Sequence, residues 1–84
     1  MTDDIADRLR GETDAITAKI DAAYERLAHK LRAKADKAKD GLDAAKKDRK
    51  RAILRRRFEL YGDAAHVIED QLAERRRSRD EAGD

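Results

Sequence analysis

The chain has 84 residues, of which 48% are charged and 39% apolar, and its net charge is +2. It contains no cysteine, proline or tryptophan, which excludes a disulfide framework, a thiolate metal site and a thiol nucleophile. A chain of this length forms one domain at most, and such a composition is typical of long helices when the apolar residues are periodic.

The first half of the sequence predicts one long helix, from about residue 3 to residue 39. Its larger apolar residues are spaced alternately by four and by seven, which is an eleven-residue repeat and corresponds to three turns of nearly straight helix. The stripe consists of Ile5, Leu9, Ile16, Ile20, Leu27, Leu31, Ala38 and Leu42.

The next segment, at about residues 40–43, predicts a turn. Gly41 suits the left-handed conformation that often ends a helix, and Asp43 suits the N-cap of a following helix. Gly62 interrupts the later helical pattern without changing its phase. We therefore expect Gly62 inside a helix, at a cost of ~1 kcal/mol relative to alanine.

The second half predicts another helix, from about residue 43 to residue 79, followed by a frayed tail over residues 80–84. Its apolar residues follow a heptad pattern, with steps of four and three. The stripe consists of Leu54, Phe58, Tyr61, Ala65, Ile68 and Leu72. No segment shows the alternation of a strand, so the sequence predicts an all-α protein.

The two stripes match each other in an antiparallel hairpin whose midpoint falls between Asp40 and Gly41. This register places Leu27 opposite Leu54 and Ile20 opposite Tyr61. The alternative is a single continuous helix that pairs with a second copy. In the hairpin, the predicted packing residues are Ile16, Ile20, Tyr24, Leu27, Leu54, Phe58, Tyr61, Ile68 and Leu72.

A long antiparallel coiled-coil hairpin buries a single seam, and chains this small rarely gain more than ~3–5 kcal/mol from one core. We therefore expect a homo-oligomer, most simply a dimer that forms a four-helix bundle. Ile53, Leu60 and Val67 lie off the seam and are the candidates for this second contact.

The charge is unevenly distributed along the chain. Residues 30–57 hold 13 basic and 4 acidic side chains, a net +9, which leaves −7 on the rest of the chain. A basic stretch of this kind attracts phosphate backbones, although it is also common on the solvated face of a coiled coil. The candidate nucleic-acid-binding residues are Lys34, Lys37, Lys39, Lys46, Lys47, Arg49, Lys50 and Arg51.

No pattern for catalysis or for a cofactor is present. His29 and His66 are the only histidines, and each lies four residues from an acid, as expected for a surface pair. Neither belongs to a metal-ligand motif. The chain is thus expected to be non-catalytic, without metal or cofactor. No apolar run is long enough to span a membrane, and the expected location is cytoplasmic.

Two resemblances concern the basic middle of the chain. The segment Asp40-Gly41-Leu42-Asp43-Ala44-Ala45 resembles the Asp-x-x-Asp-x-Ala tip of DksA-like factors, which insert a helical hairpin into the secondary channel of bacterial RNA polymerase. This resemblance covers six residues, and the zinc-binding cysteines of that family are missing. Size, helix content and basic middle are also similar to GapR-type nucleoid proteins, which are helical dimers that clamp DNA with lysines.

Three functions therefore stay open. The first is binding of nucleic acid, DNA in particular, without sequence preference. The second is a protein-interaction hairpin that acts as an adaptor or inhibitor of a larger machine, for example RNA polymerase or a phage–host complex. The third is a membrane-surface or desiccation-type helix, since the eleven-residue period and the lysine and alanine content look like late-embryogenesis-abundant chains.

Overall fold

The computed structural model describes residues 2–82 and consists of two antiparallel helices. Helix α1 spans Thr2–Ala44 and helix α2 spans Asp48–Ala82, joined by a three-residue connection, Ala45 to Lys47. The rod measures 70 × 19 × 13 Å. The predicted all-α helical hairpin is confirmed. Residues 80–82 of the predicted frayed tail are helical and belong to α2, whereas Gly83 and Asp84 lie outside the described residues.

The predicted position of the turn is wrong by about five residues. Residues 40–43 are helical and belong to the end of α1, and no described glycine has a positive φ. Gly41 instead permits close helix packing, because a Cβ atom built there would lie 3.3 Å from Cδ1 of Leu54. A glycine can mark a close approach of two backbones as well as a turn, and here it marks the approach.

Hydrogen bonds at the connection explain why α1 ends where it does. The backbone N–H of Ala45 donates to the carbonyl of Gly41, at 2.9 Å. The Arg51 guanidinium then donates to the carbonyls of Leu42 and Ala45, both at 2.9 Å. The Leu42 carbonyl also accepts a longer hydrogen bond from the N–H of Ala45, at 3.3 Å. A cation at a helix C-terminus can satisfy carbonyls that have no helical partner, and it interacts favourably with the helix dipole.

The seam of α2 is the predicted one, whereas the seam of α1 is not. Leu72 and Ala65 are buried, and the other predicted α2 residues are half-buried. On α1, Tyr24 is half-buried as expected, but Ile16, Ile20 and Leu27 are exposed. The buried residues of α1 are small or polar, and they are Asp21, Ala28, Ala35 and Ala38.

The error on α1 has a geometric cause. From Thr17 to Leu42, the buried and half-buried residues of α1 follow steps of four and three apart from Ala22 and Gly41, which is the pattern of a supercoiled pair. The large aliphatic residues follow the eleven-residue period of a straight helix, so Leu31 and Leu42 lie on this seam whereas Ile20 and Leu27 lie about 70° around α1 from it. The helices therefore meet mainly on alanine, and the first part of the aliphatic stripe, up to Leu27, stays outside.

The helices are also offset in length, and the described part of α2 does not reach the beginning of α1. Asp21 lies against Arg75 and Gly41 lies against Leu54, and this register places Ala82 about level with residue 14. Residues 2–13, called the overhang here, therefore extend beyond the end of α2. All residues whose exposure is described from position 4 to 16 are exposed, so Ile5 and Leu9, the first residues of the predicted apolar stripe, do not pack in the seam.

Candidate functional site

The end of the rod that contains the connection carries the predicted site and is called the basic tip here, residues 34–57. The six lysines and two arginines predicted to bind nucleic acid lie on the end of α1, on the connection and on the first turns of α2. All but Arg51 are exposed to solvent. None of the exposed ones forms an ion pair within the described chain, and these are Lys34, Lys37, Lys39, Lys46, Lys47, Arg49 and Lys50.

Arg51 does not belong to this exposed set. Its guanidinium turns toward α1 and caps the carbonyls of Leu42 and Ala45. The side chain is half-buried, so its role is to fix the end of α1 and the angle of the connection. The prediction that Arg51 binds phosphate is not supported by this geometry, because the guanidinium is already engaged with these carbonyls.

One side of the tip has an open groove of about 400 Å³, called the basic groove here. Four basic side chains form its rim, and small or apolar side chains form its floor. Lys34 also places its Nζ 5.5 Å from the centre of the Tyr61 ring, a cation–π distance. The lining residues are Lys34, Lys37, Ala38, Gly41, Lys50, Leu54, Arg57 and Tyr61.

Arg57 lines the groove but is not among the site residues predicted from the sequence. It lies seven residues after Lys50 and three after Leu54, so a heptad pattern places all three on one side of α2. The correct register was the missing information, because only that register brings Arg57 level with Lys37 of α1.

The ion pairs between helices all lie away from the tip, in the half of the rod nearer the chain termini. Arg32 contacts Glu69 at 2.6 Å, and Asp21 contacts Arg75 at 2.9 Å and also Arg79. A further pair joins Glu25 to Arg76. Three acids, Asp21, Glu25 and Glu69, are thus used between helices, whereas the described basic residues of the tip have no acidic partner on the other helix.

These ion pairs shift the pKa values of the groups involved. Hydrogen bonds from Arg75 lower the pKa of Asp21, against the opposing effect of its burial in the seam, and Arg79 lowers it further. Arg32 lowers the pKa of Glu69, and Glu69 in return raises the pKa of Arg32. Asp21 and Glu69 therefore stay ionised to a lower pH than they would without these arginines.

The structure contains few groups that would support chemistry. His66 lies 3.3 Å from Asp70, the predicted surface pair. Within residues 2–82, no three histidines or carboxylates are arranged to hold a metal ion. Neither of the two described helices has an apolar stretch that would cross a lipid bilayer. The basic tip is therefore the strongest candidate site of the described chain.

Comparison with known proteins assigns the chain to no family. No protein-family model matches the chain, and no curated protein or solved structure shows significant similarity to it. The DksA-like segment, Asp40 to Ala45, forms the last turn of α1 rather than the turn between the helices. The charges and the geometry of the tip are therefore the basis on which a function can be assigned.

Proposed function

We propose that this chain is a non-catalytic protein that binds nucleic acid through its basic tip, with little preference for sequence. The observation that carries the proposal is the set of exposed basic side chains at one end of the rod that have no ion-pair partner among residues 2–82. Lysine and arginine that neutralise phosphates release condensed counterions, and this release is the main driving force of nonspecific binding.

The dimensions of the rod favour contact with the backbone over contact with bases. Its cross-section is 19 × 13 Å, whereas the major groove of B-DNA is about 12 Å wide and admits a single helix. Two aromatic rings lie beside the tip. Tyr61 lies under Lys34 on the floor of the groove, and Phe58 is half-buried in the seam. Neither ring is free to stack on bases, and the expected contacts are to phosphates.

The test is the salt dependence of binding to a fluorescent duplex of about 30 base pairs and to a single-stranded RNA of equal length, measured by anisotropy. With about four phosphate contacts, the affinity should fall roughly a hundredfold between about 50 and 200 mM salt. The variant K46Q/K47Q/R49Q removes three charges from the outermost part of the tip. The slope of log affinity against log salt concentration should therefore correspond to about three fewer phosphate contacts.

The matched control is R10Q/K19Q/R26Q. It removes the same charge from exposed positions on α1, far from the tip. A tip-specific site predicts that the control binds almost as well as the parent chain. Equal losses in the two variants would mean that only total charge matters, and absence of binding by the parent chain at about 50 mM salt would refute the proposed function.

The proposal includes two further elements, a homodimer and a cytoplasmic location. The dimer is supported by the large aliphatic residues that the hairpin leaves exposed, among them Leu27, Leu60 and Val67, since an exposed apolar surface commonly marks an interface. The cytoplasmic location is supported by the lack of cysteine. Sedimentation of the purified chain would test the first, and imaging of a tagged chain the second.

A protein-binding role is the second candidate, because the floor of the basic groove is apolar. Ala38, Leu54 and Tyr61 form this floor between basic side chains, a combination that suits an acidic helix with apolar residues better than a phosphate chain. Affinity purification after nuclease treatment would test it. One stoichiometric protein that is retained by the parent chain and lost with K34E/K37E would favour this role over nucleic-acid binding.

A further inference from the structure

The two sides of the seam differ in what they expose. On one side, the pairs Arg32–Glu69 and Glu25–Arg76 bridge the helices. The opposite side is called the open flank here. The ion pairs of the buried Asp21 with Arg75 and Arg79 lie between the two sides, and Arg75 also lies over the Tyr24 ring. The basic groove lies on the open flank, and an apolar hollow of about 250 Å³ lies farther along α1, lined by Ile20, Ala23, Tyr24 and Leu27.

Heptad spacing identifies the other residues of the open flank. Leu27 and Ile20 precede Lys34 of the groove by seven and fourteen residues, so they lie on the same side of α1. On α2, Leu60 and Val67 lie seven and fourteen residues after Ile53, which borders the groove residues Lys50 and Arg57. The flank is thus basic near the tip and apolar in its middle.

The apolar row continues onto the overhang. Ile5 and Leu9 extend the stripe of Ile16 and Ile20, and more than half of each of the two side chains is exposed. Because the described part of α2 ends before the overhang, Ile5 and Leu9 do not pack against it. Glu12 lies beside them, and Glu81 lies at about the same level on α2, so this end of the flank is acidic where the tip is basic.

The open flank of one copy can match the open flank of a second copy that runs in the opposite direction, as the positions of its residues along the rod show. At 1.5 Å per residue, the basic groove lies about 15 Å from the middle of the connection and Leu9 about 55 Å from it. Val67 lies at about 30 Å and Ile20 at about 40 Å. The distances of the groove and of Leu9 add up to about the 70 Å length of the rod, and so do those of Val67 and Ile20. A second copy turned end for end therefore brings its Leu9 to the groove and its Ile20 to Val67.

We propose that two copies of this chain pack antiparallel through their open flanks, and that the overhang of each copy fills the basic groove of the other. In this dimer, Leu9 of the second copy covers the apolar floor formed by Leu54 and Tyr61. The groove is therefore completed by the partner's overhang, and a single hairpin contains only part of it. Such an interface is isologous, as expected of a two-fold dimer.

Charge supports the antiparallel direction. Reversal places Glu12 and Glu81 of one copy, about 50 Å from its connection, level with Lys34 of the other, about 20 Å from its own connection. A parallel arrangement would place the +9 segment of one copy beside the +9 segment of the other, and like charges side by side oppose association.

The available area is also sufficient. The face of the rod that contains the flank is 70 Å long and 19 Å wide, and stable interfaces bury about 800 Å² per partner. Lys39, Lys47 and Arg49 lie at or near the extreme end of each rod rather than in the groove. They therefore stay available for phosphates in a dimer whose two tips point in opposite directions.

The first experiment is sedimentation equilibrium of the parent chain and of L9Q. The parent chain should have twice the 9.6 kDa mass of one copy at micromolar concentration. Because Leu9 has no contact with α2, L9Q should leave the circular dichroism of the hairpin unchanged and weaken the dimer at least tenfold. The matched control A15Q changes an exposed residue away from the apolar row and should dimerise like the parent chain.

The second experiment uses charge reversal to test the direction of packing. E12K/E81K should weaken the dimer, and so should K34E/K37E, because each places like charges against one another. A mixture of the two variants should dimerise better than either alone, since opposite charges then meet again. A monomeric parent chain, a dimer insensitive to L9Q, or a mixture no better than its components would each overturn the proposal, whether or not nucleic acid binds to the tip.

Discussion

The half of the rod near the termini and the half near the tip are held together by different forces. In the half near the termini, four contacts between the helices join a carboxylate to an arginine, and Asp21 takes part in two of them. In the second, close packing at Gly41 and the cap from Arg51 hold the helices, and the lysines of the groove face Arg57 without an acid. Ion pairs hold the helices together in the half near the termini, whereas small residues allow them to pack closely in the half near the tip.

This difference shows how one short chain combines a fixed register with a free charged surface. A buried polar residue in a coiled-coil seam specifies which residues pair, at some cost in stability. Asp21 has that position, and it is the only buried charged residue of the described chain. With the register fixed far from the tip, the tip needs no ion pairs of its own, and its basic side chains stay available for a partner.

The largest expected effect is a difference in the free energy of unfolding between alanine variants of two leucines on the seam of α2. Leu72 is buried in the ion-paired half, and Leu54 is half-buried against Gly41 in the tip half. L72A should lower the free energy of unfolding by about 2–5 kcal/mol, as for other buried leucines. L54A should cost clearly less because part of its surface is already in water. Urea denaturation followed by circular dichroism measures both, and equal losses would mean that the halves are packed alike.

The next effect concerns the cap at the tip. R51A removes two hydrogen bonds from a charged donor to the carbonyls of Leu42 and Ala45, and it should cost about 1.5 kcal/mol, measured by urea denaturation. R55A removes an exposed arginine from the same helix and should change stability by less than about 0.5 kcal/mol. Both variants lose one positive charge, so a similar loss in both would show that the cap contributes nothing beyond charge.

The fold class and the seam of α2 were predictable because they follow from local patterns. From Leu54 to Leu72, every heptad position except Ala65 holds a large apolar residue. Such a stripe packs against a partner helix in almost any register, so its burial can be predicted without knowing the register. The turn was not predictable in the same way. Sliding one helix past the other by a heptad gives an equally regular match, so periodicity alone does not select the register.

The seam of α1 was missed because the deciding residues are small. Ala28, Ala35 and Ala38 give a weak apolar pattern beside Ile20 and Leu27, yet the alanines are buried and the aliphatic residues exposed. The composition of the basic tip was predictable from charge, whereas the role of Arg51 and the membership of Arg57 were not. Both depend on where α1 ends, which follows from tertiary contacts rather than from local propensity.

Two glycines provide a smaller test of the contrast between loose and close packing. A Cβ atom added at Gly62 would have no neighbour within 4 Å, whereas one added at Gly41 would lie 3.3 Å from Leu54. G62A should stabilise the hairpin by about 1 kcal/mol through helix propensity. G41A should gain less or lose stability, because Leu54 must move. Thermal unfolding of both variants measures the difference, and an equal gain would show that the tip is not closely packed at Gly41.

The smallest expected effect is the pH dependence of the ion-paired half, because water and salt screen the exposed pairs Arg32–Glu69 and Glu25–Arg76. The pKa values of Asp21 and Glu69 are lowered in the fold, whereas unfolded Asp and Glu titrate near about 3.9 and 4.3. Their contribution to stability is therefore complete above about pH 5 and is lost as the pH falls through about 4 toward the lowered values.

The variant D21N tests this pH dependence, because it keeps the size of the side chain and removes its titration. Its unfolding midpoint in urea should be lower than that of the parent chain at neutral pH, since Arg75 and Arg79 lose the charge that they contact. The midpoint should also fall less steeply in acid, because one of the two carboxyl groups with a lowered pKa is gone. Parallel curves for D21N and the parent chain would mean that the titration of Asp21 does not contribute to the pH dependence of stability.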